Sequence, residues 1–190
     1  LTDNFILHRQ KIMAQVGIRE FDAKKMYFDF IGKPYNAYKI SDSNSIQSIE
    51  ENRTYVIKPD MLFGKRWKYW LVWVNLDKNS CISWFEEKFQ KNMQISWISG
   101  NLDVFLIEDF IPHNEEYYIS FSAERDFDIV NFSFEGWIDV EENWDTVQLL
   151  QIPVFQDLTE NQLEEIWISD IKIKDTIISL WNYYKTYGFV

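Results

Sequence analysis

Four basic residues fall close together in a chain whose formal net charge is −11. Lys58 closes a short apolar, β-rich run, and Lys65, Arg66 and Lys68 crowd the turn that follows Gly64. Cations gathered in this way call for an anion. A polyphosphate suits them, because lysine and arginine donate charge-assisted hydrogen bonds to several phosphate oxygens at once. A solvated basic turn would have the same composition. A second segment, FLIEDFIPHNEEYYISFSAER (Phe105–Arg125), runs from a strand into a turn at Asp109–His113, with Glu115 and Glu116 behind it. Extended hinge backbone offers N–H and C=O groups to an adenine edge in a mostly apolar slot. A carboxylate a few residues on can accept from ribose hydroxyls, although most glutamates at strand starts are simply exposed. The third segment is EGWIDVEENWD (Glu135–Asp145), in which five of eleven residues are acidic. It suits a divalent cation, a basic loop or plain solvent.

These residues need elements to carry them. Glu20–Ile31 has helical spacing, with Phe21, Met26, Tyr27 and Phe30 as its apolar positions. The polar stretch Ser41–Arg53 reads as loop and short helix. Tyr55–Ile57 and Tyr69–Val74 read as two strands flanking the basic turn. Ile82–Lys91 is an amphipathic helix. Asp103–Phe110, Glu116–Ala123 and Asp128–Phe134 read as three successive strands. Glu160–Ile168 and Ile171–Tyr184 read as helices, the first with Thr159 as N-cap and Gln162 three residues on, the pattern of a capping box. Strands and helices mixed without strict βαβ alternation predict an α/β or α+β domain of two lobes, with a boundary near Glu108.

Bulk properties narrow the possibilities. At 190 residues and 46% hydrophobic content the chain can bury a sizeable core. No basic face suits nucleic acid or an anionic membrane. Phe5–Leu7 is too short for a signal-peptide core, and no run of about 20 apolar residues could span a bilayer. The single cysteine, Cys81, excludes a disulfide framework and suits a reducing, cytoplasmic setting. His8 and His113 stand alone, without zinc-ligand spacing. Met13 opens MAQVGIREFDAKKM, which reads like a start, so residues 1–12 are expected to be an upstream or non-native extension.

Several of these strings are shared with one family. GIREFDAKKM resembles the opening helix motif of the citrate-binding subunit of ATP-citrate lyase, and echoes succinyl-CoA ligase β subunits, which share the ATP-grasp fold. KPDMLFGKR is similar to the lyases' KPDMLFGKRGK, FLIEDFIPHNEEYY to their FIVEPFVPHDQEYY, and EENWD is another lyase feature. The resemblance runs from about Met13 to Val190. It implies an ATP-grasp fold with a first lobe at 13–107 and a second at 108–190, and ATP with Mg held between two sheets. By match, Lys58 and Arg66 would contact phosphates, beside position 67, where Trp67 replaces a family glycine. The backbone around Asp109 and Ile111 would hold adenine, with Asp109 standing where the family has proline, and Glu116 would take the ribose. His113 matches a hinge histidine and reads as structural.

The family phosphorylates a histidine from ATP, passes the phosphoryl group to citrate, and forms and cleaves citryl-CoA to acetyl-CoA and oxaloacetate. Neither histidine here matches the phosphorylated one, so no catalytic residue is expected in this chain. The implied partners are citrate, CoA and a second subunit carrying the phosphohistidine and CoA-ligase regions. The metal-site motif and citrate-binding domain would follow Val190, and the isolated fragment should not turn over citrate. The alternatives are a succinyl-CoA-ligase-like β fragment and a non-catalytic ATP-grasp remnant that pairs with a partner subunit.

One compositional anomaly bears on the phosphate segment. The chain has 9 Trp but 6 Gly, against about 13 Gly at average usage. Trp67, Trp70, Trp73 and Trp137 fall where the family has glycine or another small residue. Glycine there permits positive φ and close backbone approach to phosphate. Four such replacements, at roughly 1–3 kcal/mol each or more, rival a domain's whole stability of roughly 5–15 kcal/mol. A UGA codon that specifies glycine but is read as tryptophan would produce this pattern. Trp144 matches a family tryptophan and should be genuine, and Trp84, Trp97, Trp167 and Trp181 are ambiguous.

Overall fold

The computed structural model describes residues 17–62, 66–95, 98–136 and 144–188. Trp97, Trp137, Gly64, Lys65, His8 and most of the acidic segment after Gly136 therefore lie outside the described residues. The chain divides into two compact units: Leu1–Ala23 with Ala37–Glu108, and Lys24–Asn36 with Asp109–Val190.

Helix α1 (Glu20–Phe30) contributes to both units. Glu20 and Asp22 lie in its first turn, where carboxylates complement the helix dipole. Gly32, at φ +66°, ends it. The Gly32 amide donates to Asp29 O and the Lys33 amide to Phe28 O, the pairing of a Schellman turn.

The first unit is built on a four-stranded sheet of order β1–β6–β2–β3: β1 is Ala37–Ile40, β2 Tyr55–Pro59, β3 Trp73–Leu76 and β6 Phe105–Asp109. β1 runs antiparallel to β6, with Ala37 opposite Glu108, and β2 antiparallel to β3. Helix α2 (Lys78–Lys88) packs Cys81, Trp84 and Phe85 into a core with Ile40, Tyr55, Ile57, Leu71, Phe105 and Ile107. Burial pushes the Cys81 thiol up to about 12, so it packs as a small apolar group. A hairpin of β4 (Asn92–Ile95) and β5 (Ile98–Asn101) completes the unit.

The second unit contains an antiparallel sheet, β7 (Tyr118–Ala123), β8 (Phe127–Ser133) and β9 (Gln148–Pro153), in that order. Helix α3 (Glu160–Glu165) and the long helix α4 (Ile171–Tyr187) supply Leu163, Ile177, Trp181 and Tyr184 to a core with Phe121, Val130, Phe132 and Ile152. The capping box expected at Thr159 and Gln162 forms as both reciprocal hydrogen bonds. Buried Asp128 accepts from the Tyr184 hydroxyl at 2.6 Å and the Lys185 ammonium at 2.7 Å, which ties β8 to α4.

Two local expectations change. The run Tyr69–Val74 is not a strand. Trp67–Tyr69 form a 3-10 turn, Trp70 takes a left-handed conformation, and the strand begins only at Trp73. The second helix starts earlier than expected, because Asp77 caps it by accepting from the Ser80 amide at 2.8 Å. The three strands expected in succession form, β6 in the first unit and β7 and β8 in the second, so the changes are confined to the two preceding elements. Strands β1, β4, β5 and β9 had no sequence prediction.

Candidate functional site

On β2, Tyr55, Ile57 and Pro59 are buried, while Val56 and Lys58 are only partly so. A strand's two-residue period turns Lys58 away from the face that Ile57 buries. Its ammonium meets the Glu20 Oε1 at 2.5 Å and the Glu108 Oε2 at 3.1 Å. Arg66 reaches the same carboxylate: its Nη2 is 2.6 Å from the other Glu20 oxygen, and its Nη1 donates to Pro59 O at 3.1 Å. The two cations singled out in the sequence thus converge on one carboxylate. The four side chains keep little exposure (15% for Lys58, 24% for Arg66), so their charges are screened less than surface pairs are.

Asp60 holds this arrangement in place. It is fully buried and accepts the Glu20 amide at 2.8 Å and the Phe21 amide at 3.3 Å. It thereby caps the start of α1 from outside the helix, satisfying donors that have no intrahelical partner. Burial raises its carboxyl above the ordinary range, and the Phe21 and Glu20 amides pull the other way. Arg19 donates to the Asp60 carbonyl and sits 3.6 Å from Asp103. Sequence inspection missed Glu20, Asp60 and Glu108 as site residues. The available signal was the recurrence of carboxylates beside the noted cations, in IREFD, in KPD and in LIED.

The second unit carries Asp109, Ile111, His113 and Glu116. Its cavity, of about 580 Å³, is lined by residues 113–117 together with Phe134, Glu135 and Gly136. His113 bridges two acceptors, donating from Nδ1 to Ile111 O at 2.8 Å and from Nε2 to the Glu116 carboxylate at 2.7 Å. A carbonyl accepts and a carboxylate accepts, so both contacts favour the doubly protonated ring. The Ile111 hydrogen bond, then the Glu116 contact, raise its pKa above the ordinary value. Gly136 lies against Glu116: a Cβ there would stand 2.7 Å from Glu116 Oε2 and 3.0 Å from its Cβ. The Ile111 side chain is exposed, and Asp109 is half-buried at the end of β6.

Lys58 and Arg66 are thus brought together within the first unit, and Ile111, His113 and Glu116 within the second. Trp67 follows Arg66 directly, half exposed at the start of the 3-10 turn. Among the described residues no group of three or more His, Cys, Asp or Glu could hold a metal ion, and no helix is long and apolar enough to cross a membrane.

The sheet that carries the convergent cations is followed along the chain by an antiparallel sheet with a cavity at its entry. The chain superimposes on ATP citrate lyase from Methanothrix soehngenii, solved in complex with citrate and coenzyme A, with a TM-score of 0.70 and 26% identity over 90% of this chain and 44% of that one. A family model for the ATP-citrate synthase ATP-grasp domain matches residues 14–190, and the chain belongs to that family. It is 35% identical over 159 residues to ATP-citrate synthase alpha chain protein 2 of Arabidopsis thaliana, which covers 77% of this chain and 38% of the plant chain. It is 34% identical over 116 residues to human ATP-citrate synthase, covering 60% of this chain and 10% of the human one. The chain therefore spans well under half the length of these relatives.

Proposed function

We propose that this chain is the nucleotide-binding part of an ATP-citrate lyase, which converts citrate, CoA and ATP to acetyl-CoA, oxaloacetate, ADP and phosphate. The observation that carries this reading is the convergence of Lys58 and Arg66 on one carboxylate. Two cations held within 2.6 Å of two oxygens of a single group form a ready-made oxyanion cradle. In this reading a phosphate of ATP takes the cradle. The main chain at Asp109 and Ile111 faces the adenine, and Glu116, oriented by His113, accepts from the ribose.

The role read for Lys58, Arg66, Asp109, Ile111 and Glu116 is to bind and orient the nucleotide. Magnesium would neutralise phosphate charge when bound. Among the described residues no group of three or more His, Cys, Asp or Glu could hold it. Citrate, CoA and a second subunit with the phosphorylated histidine would complete the enzyme.

A second reading has a specific observation behind it. Trp67, Trp70 and Trp73, in the segment that follows Arg66, stand exposed, which favours a remnant that binds no nucleotide. Calorimetric titration of the chain with ATP–Mg separates the two. Binding that disappears in Lys58→Ala, with the fold intact by circular dichroism, supports the nucleotide site. Absence of binding both in the chain as written and in a version with glycine at 67, 70 and 73 would overturn it.

A further inference from the structure

We infer that Glu20 is an internal stand-in for a phosphate group, so that ligand binding is a competition between an incoming oxyanion and this carboxylate. The inference rests on the nucleotide reading of Lys58 and Arg66. Each oxygen of Glu20 engages a different cation, Oε1 with Lys58 and Oε2 with Arg66. A phosphate bridging the same two cations would place its oxygens where those of Glu20 now lie. Glu20 is held at this spot by the backbone, since Asp60 accepts its amide and that of Phe21, and the α1 dipole favours its charge. Glu108 at 3.1 Å already offsets part of the Lys58 charge. An arriving triphosphate therefore meets two carboxylates, and the one bridging both cations must yield. Displacing it leaves the Asp60 cap untouched, so the side chain can swing while the helix start stays anchored.

The test titrates the chain, Glu20→Gln and Lys58→Ala with sodium tripolyphosphate, which lacks adenine, and with ATP–Mg, checking each fold by thermal melt. Competition is a coupling free energy. Its removal in Glu20→Gln should tighten tripolyphosphate binding roughly fivefold or more, while Lys58→Ala abolishes it. Should Glu20→Gln fail to fold, Glu20→Asp, too short to span both cations, carries the same expectation. Unchanged or weaker binding in the Glu20 variants, with binding still lost in Lys58→Ala, would mean that Glu20 orients the cations instead, and the nucleotide reading would survive. Equal binding by Lys58→Ala and wild type would remove the nucleotide reading and this inference with it.

A different observation carries a second inference: positions 70 and 167 are glycine in the functional chain. Three places share one hydrogen-bond pattern. The Gly32 amide donates to Asp29 O and that of Lys33 to Phe28 O. The Trp70 amide donates to Trp67 O and that of Leu71 to Arg66 O. The Trp167 amide donates to Glu164 O and that of Ile168 to Leu163 O. Each is a Schellman turn, whose pivot is left-handed and normally glycine. The pivot φ values are +66° for Gly32, +55° for Trp70 and +68° for Trp167. A side chain in this region costs roughly 1–2 kcal/mol, and neither indole gains burial in return, at 87% and 77% exposure. Trp84 and Trp181 are the opposite, at 4% and 0% exposure inside the two cores.

Peptide mass spectrometry of the chain from its native cell, with the codons read alongside, decides the matter. Glycine from UGA at 70 and 167, with tryptophan from UGG at 84 and 181, is expected. Tryptophan at 70 and 167 would overturn the inference. In recombinant chain, Trp70→Gly with Trp167→Gly should raise the melting temperature. Unchanged or lowered stability would count against it.

Discussion

The two charged clusters of this chain use the same kinds of group in different surroundings. In the first unit, Lys58 and Arg66 share Glu20 behind limited solvent access. In the second, His113 and Glu116 pair with half or more of each side chain in water. Screening and competition from water weaken the second contact and spare the first. The first cluster also draws its geometry from buried backbone, because Asp60 fixes the start of α1. The second depends on one imidazole and on the bare main chain of Gly136. The contrast separates a cluster anchored by buried backbone from one held at the surface.

The largest effect should come from removing the buried anchor. Asp60→Ala strips two α1 amides of their acceptor and should lower stability by about 1–2 kcal/mol, read by urea denaturation. A change within about 0.5 kcal/mol, the size of an ordinary surface substitution, would show that the first cluster is no better anchored than the second. A smaller effect is expected at Gly136→Ala. The new Cβ collides with Glu116, so the His113–Glu116 pair should open with a stability loss toward the low end of roughly 1–3 kcal/mol. Imidazole NMR should then show His113 titrating closer to its ordinary value. An unmoved titration would mean that Glu116 accommodates the methyl group in place.

The smallest effect is the pH response of His113 itself. Its folded pKa is raised, so the stability it contributes is fully present below the ordinary value of about 6.5 and is lost as pH rises through the raised folded value. Glu116→Gln should bring the titration back toward ordinary, and high salt should do so partly. A folded titration at or below the ordinary value, insensitive to both, would break the clasp described here.

Legibility followed distance along the chain. The Thr159–Gln162 capping box is a contact between residues three apart, and it formed as expected. Lys58 and Arg66 stood out by type, but the residue joining them lies 38 and 46 positions away, and nothing local marks Glu20 as their partner. The turn at 67–70 was hidden for another reason. Its pivot is written as tryptophan, so an apolar, β-rich run masked a Schellman turn. The β4–β5 hairpin escaped because its strands are only four residues each: β4 alternates Asn92, Met93, Gln94, Ile95, too briefly to stand out, and β5 (Ile98–Asn101) does not continue the pattern.

The resemblance of GIREFDAKKM, KPDMLFGKR and FLIEDFIPHNEEYY to one family's strings, in the same order, was enough to place the chain among ATP-grasp domains of ATP-citrate synthases and to direct attention to Lys58, Arg66 and Glu116. Local chemistry sets such strings, and they survive without knowledge of the fold. Only the tertiary structure decided that Glu20 bridges the cations, that Asp60 anchors it, that His113 clasps Glu116, and which tryptophans the cores need. The His113–Glu116 pair spans three residues, but the Glu20 and Asp60 contacts and the two cores join groups that approach only after long loops close.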